Sequence, residues 1–132
     1  MTDTADQLRQ AVTTGDTASV RQLLAAYPRL AQRRPDAESL VLQAVYHGHR
    51  EVTGIFLEAG YPLDVFEAAA LGRLERVREL VSGNPELPKG WSADGFTPLM
   101  LAAFFGQAPV VRFLLEWGAD ASAVSRNTMR VM

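Results

Sequence analysis

Residues 94–106 read DGFTPLMLAAFFG, and this stretch decides how the rest of the chain is read. Asp94-Gly95 is a turn signal. Thr97-Pro98 is a helix start: a threonine side chain accepts from a free backbone N–H of the first turn, and proline at the first helical position sacrifices no hydrogen bond. An apolar run follows, with Ala102 and Ala103 as small residues where another helix can come close. Gly106 closes the segment, as suits a left-handed stop. The stretch is therefore a turn, a short capped helix and a hinge.

Working outward, the Ala-x-x-x-Gly frame of residues 102–106 recurs at Ala11–Gly15, Ala44–Gly48 and Ala68–Gly72. The four alanines lie 33, 24 and 34 residues apart. After each glycine comes an apolar set at helical spacing: Val20/Leu23/Leu24, Val52/Phe56/Leu57, Val77/Leu80/Val81 and Val111/Leu114/Leu115. Each unit thus reads as two short helices hinged at glycine. The expected caps of the first helices are Asp6, Ser39, Asp64 and Thr97. No unit can bury its apolar face alone, so four must stack into one core.

The complete unit DGFTPLMLAAFFGQAPVVRFLLEWGADASA resembles a repeat of the ankyrin family, and the other three match in frame. The resemblance, to a small bacterial-type ankyrin-repeat domain, covers about residues 4–123. It implies an all-α solenoid of about four helix–turn–helix units in one domain. The units fall at about 4–35, 36–62, 63–93 and 94–123, with 124–132 as a tail or the start of a further unit cut short.

The chain departs from the family pattern in three places. The histidine of the family's TPLH motif is replaced by Arg9, Leu42, Phe66 and Met100, so packing is expected to replace a polar link. The 24-residue step leaves no room for a projecting finger between units two and three; Tyr61-Pro62 is expected to turn the chain there. The longer joins have room for fingers, and their AAYPRLA and SGNPELP segments are alike, hinting at duplicated pairs, one–two and three–four. After Asp120, ASAVSRNTMRVM runs to residue 132. It is read first as an array cut short, leaving apolar surface such as Phe113 or Leu114 uncovered. The alternatives are a lid through Met129, Val131 and Met132, or an end that joins another chain.

The 132 residues carry a net charge of −2, so no basic field draws nucleic acid, and the absence of cysteine excludes disulfides and thiolate chemistry. The polar N-terminus lacks a signal-peptide pattern and no apolar run is long enough to span a membrane, which predicts a cytoplasmic protein. His47 and His49 in YHGHR lack a third ligand at suitable spacing. They are read as structural or solvated, with a metal or enzymatic centre at Tyr46–His49 as the minor alternative. Arg33-Arg34 is too small a basic spot for nucleic acid. The charges of GRLERVREL are read as a solvated face. No cofactor, metal or catalytic residue is assigned.

The resemblance implies where a ligand would bind: the finger tips and the last residues of each first helix. Those positions hold Tyr46, His47, Trp91, Phe96, Phe104 and Phe105. The expectation is a non-catalytic protein-binding module using this set as one stripe on a concave face, with one of Phe104 and Phe105 in the core. Its partner would be another protein. The chain is expected to be a monomer, with self-association through the C-terminal end, in a structural role, as the alternative.

Overall fold

The computed structural model describes residues 4–32 and 39–120. The Arg33-Arg34 spot, part of the first long join and the tail after Asp120 lie outside them. Eight α-helices form four pairs: α1 (Thr4–Thr14) with α2 (Thr17–Ala26), α3 (Leu40–Tyr46) with α4 (Arg50–Glu58), α5 (Val65–Leu71) with α6 (Leu74–Gly83), and α7 (Pro98–Phe104) with α8 (Ala108–Glu116). No strand occurs among the described residues. This is the all-α helix–turn–helix architecture that the spacing predicts. The pairs group into two compact halves that divide between Pro62 and Leu63. In the first, α3 packs on α1 and α4 on α2; in the second, α7 packs on α5 and α8 on α6.

The recurring Ala-x-x-x-Gly frame has one geometric cause. Each hinge glycine is left-handed: φ is 77° at Gly15, 74° at Gly48, 74° at Gly72 and 71° at Gly106. The next residue then donates its N–H back to the alanine carbonyl: Asp16 to Ala11 (2.9 Å), His49 to Ala44 (2.8 Å), Arg73 to Ala68 (2.9 Å) and Gln107 to Ala102 (2.8 Å). The turn satisfies a carbonyl that the helix end would leave orphaned. All four alanines are buried. The spacing is set by the hinge and the residue type by the packing.

Three of the four expected caps hold. Ser39 Oγ accepts from Leu42 N (3.0 Å), Thr97 Oγ1 from Met100 N (3.2 Å) and Asp64 Oδ1 from Glu67 N (2.7 Å). Glu67 Oε1 accepts in return from Asp64 N (2.8 Å), completing a capping box. Asp6 is no cap. Helix α1 begins at Thr4, so Asp6 sits within the first turn and pairs with Arg9 at 3.1 Å. Asp16 supplies a cap that the alanine-to-glycine frame does not reveal: its carboxylate accepts from Ser19 Oγ (2.7 Å) and Ser19 N (3.2 Å), at the start of α2.

These bonds hold the Asp16 carboxyl below its ordinary pKa, the side-chain hydroxyl contributing most. The folded value is the lower one, so the stabilisation is complete above the unfolded value of about 3.9 and fades as pH falls through the folded value. Asp16→Ala is expected to remove this acid-sensitive contribution. Melting curves of both proteins from about pH 2 to pH 7 should converge at the acid end and separate above it.

The rows through which paired second helices meet alternate in register, and α4 buries Thr53 and Ile55 in addition. Val20/Leu24 on α2 and Val77/Val81 on α6 are buried; their counterparts within each half are Val52/Phe56 on α4 and Val110/Leu114 on α8. In the fourth unit Val110, rather than the expected Val111, therefore takes the core place. A row one residue back faces the preceding helix, and a row one residue on faces the next. Leu114 is fully buried and Phe113 half-buried, so neither leads the exposed apolar surface.

The joins differ as the unequal spacing requires. Residues 59–64 alone connect α4 to α5, with no finger. The turn lies at Ala59-Gly60, where Gly60 has φ 86°, and not at Tyr61-Pro62. Proline biases the residue before it toward extended backbone, so Tyr61-Pro62 carries the chain onward. The Leu63 carbonyl is held by Arg76 Nε at 2.9 Å. PRLA and the segment after NPE both wind into short 3₁₀ turns, at Pro28–Ala31 and Leu87–Lys89. A finger follows the second: Ser92 N donates to the Phe96 carbonyl (2.7 Å), Gly95 N to the Ser92 carbonyl (3.0 Å) and Phe96 N to Ser92 Oγ (3.1 Å).

Candidate interaction surface

The finger and the end of α7 place four of the six expected site residues in the second half. Trp91 and Phe96 flank the Ser92–Phe96 turn, both half-buried, with Ala93 exposed at its tip. Phe104 ends α7 and is 78% exposed, more than any other large apolar side chain described. Phe105 follows as the cap residue and is half-buried. The two rings meet edge to face, 4.9 Å apart at 88°. Neither is in the core, contrary to the expectation for one of them: Leu99, Leu101 and Ala102 fill it, and the hinge turns the last helical residues outward. Helix α7 carries no charge, so water leaves the surface around Phe104 at little electrostatic cost.

Tyr46 and His47 end α3 in the first half, Tyr46 half-buried and His47 exposed. His47 Nδ1 bonds the Gln43 carbonyl at 2.8 Å, one turn back on its own helix. His49 Nε2 bonds the Thr13 carbonyl at 3.0 Å, across to the preceding unit. Each ring thus spends one nitrogen on a carbonyl, and the rings stack at 6.1 Å with 8° between their planes. Among the described residues no group of three His, Cys, Asp or Glu could hold a metal ion.

The bond from His49 has a counterpart that residue-type reasoning missed. Gln107 Nε2 donates to the Ala70 carbonyl at 3.0 Å. Both donors follow a hinge glycine, and both carbonyls lie two residues before the preceding unit's hinge glycine. One imidazole and one amide thus tie neighbouring units through the same position. The close fit is visible at the glycines they cover: a Cβ at Gly15 would stand 2.7 Å from His49 Nδ1, and one at Gly72 would collide with the Gln107 amide. Gly48 is equally left-handed, yet a Cβ there meets nothing within 4 Å. Gly72→Ala is therefore expected to destabilise more than Gly48→Ala, which carries only the left-handed backbone penalty of about 1–2 kcal/mol. Urea unfolding of the two variants measures the difference, which Gln107→Ala should largely abolish.

The four-fold hinge, the caps and this tie are features of a repeat family, and the sequence as a whole matches the ankyrin-repeat family model over residues 8–125. The chain belongs to the ankyrin-repeat family. Relatives include the human DNA-binding protein RFXANK, 39% identical over 65 residues, which cover 49% of this chain and 25% of that protein. The rat ankyrin repeat and SAM domain-containing protein 6 is 42% identical over 57 residues, 43% of this chain and 6% of its own length. The human NAD-capped RNA hydrolase NUDT12 is 38% identical over 60 residues, 46% of this chain and 13% of its own length. The chain thus spans a quarter or less of these relatives. Ankyrin repeats generally mediate protein–protein interaction and are generally non-enzymatic. Among the described residues no helix is long and apolar enough to cross a membrane.

Proposed function

We propose that this ankyrin-repeat chain is a non-catalytic recognition module that binds another protein through Phe104, Phe105, Trp91 and Phe96. Tyr46 and His47 would serve at the equivalent helix end of the first half. The observation that carries the reading is the 78% exposure of Phe104 on an uncharged helix end, at a position where repeats of this family meet their ligands. Exposed aromatic side chains give large contact area for little ordering cost, and such residues dominate interface energies. The helices and caps hold the set in place before binding, which keeps the entropic cost low. The net charge of −2 favours a protein partner over a nucleic acid. A cytoplasmic setting goes with this reading, and fractionation of cells expressing the chain would test it.

The test is capture from the source cell with the Trp91→Ala/Phe96→Ala double variant beside the wild type. The reading expects the double variant to lose a partner that the wild type captures while its melting curve stays close. Unchanged capture, or a loss of stability as large as the loss of capture, contradicts the assignment of these two residues.

A further inference from the structure

We propose that Asp94-Gly95, in the finger of the second half, is a site of spontaneous aspartate isomerisation that the finger's own hydrogen bonds hold in check. The reaction needs no enzyme and no co-reactant but water. The Gly95 nitrogen attacks the carboxyl carbon of the Asp94 side chain. A C–N bond forms, and the carboxyl hydroxyl leaves as water with the amide proton. Water then reopens the five-membered imide. Opening at one carbonyl restores aspartate. Opening at the other leaves Gly95 joined through the side chain, as isoaspartate, with the α-carboxylate free.

The sequence selects the place. Attack needs close approach to a backbone nitrogen, and only glycine leaves that approach clear of a Cβ. Asp94 is the one aspartate of the chain followed by glycine, and neither asparagine precedes one. The structure sets the timing. Ala93, Asp94 and Gly95 form a three-residue turn closed by left-handed Gly95, φ 88°. The attacking nitrogen is itself committed: Gly95 N donates to the Ser92 carbonyl at 3.0 Å. Ser92 N donates to the Phe96 carbonyl (2.7 Å) and Phe96 N to Ser92 Oγ (3.1 Å), so both flanks of the turn are pinned. Gly95 is buried and Asp94 half-buried, which limits the access of water to the amide. Closure of the imide requires the nitrogen and the carboxyl carbon to meet in an attack geometry, so it waits for the finger to open.

Isomerisation then keeps the finger open. The isoaspartyl link inserts a methylene into the backbone between Ser92 and Phe96, and the three bonds that close so short a turn cannot all re-form across it. Trp91 and Phe96 flank that turn and lose their fixed placement, while Thr97 still caps α7 locally. The consequence for partner capture rests on the function proposed above; the chemistry does not.

The test is to age the whole chain at neutral pH, in buffer and in concentrated urea. After the urea is removed, isoaspartate is counted with a protein isoaspartate methyltransferase and located by mass spectrometry of peptides. It is expected at Asp94 in both samples, forming at least about tenfold more slowly in buffer, where only the opened finger reacts. Ser92→Ala removes the side-chain acceptor of Phe96 N. It should speed the reaction in buffer at least about threefold while its urea rate and melting curve match the wild type. Asp94→Glu should abolish the signal at this position, since glutamate has to close a six-membered ring. Equal rates in buffer and urea, no isoaspartate at Asp94 in urea, or Ser92→Ala ageing in buffer at the wild-type rate overturns the proposal.

Discussion

Phe56→Ala is expected to lower the unfolding free energy by about 3–5 kcal/mol. The ring is fully buried in α4 and packs edge to face on Tyr61, 5.7 Å away at 84°. It shares its helix face with Val52, also fully buried, against the row that α2 offers through Val20 and Leu24. The surroundings are held by the Asp16 cap on α2 and by the hinge bonds that precede both helices, so they collapse only partly into the space. The loss therefore includes a cavity as well as the transfer of the ring to water. Against a total of about 5–15 kcal/mol for an ordinary domain, this is enough to leave the first half largely unfolded at modest urea. Urea unfolding followed by circular dichroism measures it. A loss below about 1 kcal/mol would mean that Phe56 is not the keystone of that half.

Glu67→Ala has the second-largest expected effect, about 1–3 kcal/mol, because it leaves the part-buried Asp64 N–H without its acceptor. Glu67 is fully buried, yet it is a carboxylate in a seven-residue helix. Its Oε1 accepts from Asp64 N at 2.8 Å while its own N–H donates to Asp64 Oδ1 at 2.7 Å. The box begins α5 at the abrupt join after Gly60, where no finger steadies the entry of the chain. Glu67→Gln keeps an acceptor at the same reach and should cost less than Glu67→Ala. Asp64→Ala should cost about 1 kcal/mol, and the Asp64→Ala/Glu67→Ala pair should be less than additive because each removal disables part of the same box. Equal losses for Glu67→Gln and Glu67→Ala would show that the returned hydrogen bond does not carry the effect.

The parts of the fold legible in the sequence are those where a single backbone geometry admits few residue types. A left-handed hinge with a buried position four residues before it selects glycine and alanine, so the repeat frame stands out despite weak loops. Ser39, Asp64 and Thr97 were readable because each immediately precedes the apolar run that its helix buries. Asp6 misled because an acidic residue is equally favourable within the first turn of a helix, where it pairs with Arg9. Val110 and Val111 are adjacent valines, and only the neighbouring helix decides which row turns inward. At Tyr61-Pro62 the proline drew attention from Gly60, which supplies the conformation that the turn needs.

The candidate surface was legible only as positions. Residue type placed Phe104 and Phe105 beside the hinge, but the direction in which the last helical turn presents them depends on packing beneath it. His49 was read as structural or solvated, but its tie to the preceding unit escaped notice, as did that of Gln107, because the two share no side-chain chemistry beyond one N–H donor at the right reach. Their common signal was positional: each directly follows a hinge glycine, in the second unit of its half.

The central claim is that the uncharged aromatic end of α7 is a surface for binding and not for stability. The most direct measurement is the affinity of Phe104→Ser for the captured partner, set beside its melting temperature. The account predicts affinity reduced at least about tenfold, as for an interface anchor, with melting unchanged within the scatter of a surface substitution. Unchanged affinity, or a melting temperature that falls in step with the affinity, would contradict it.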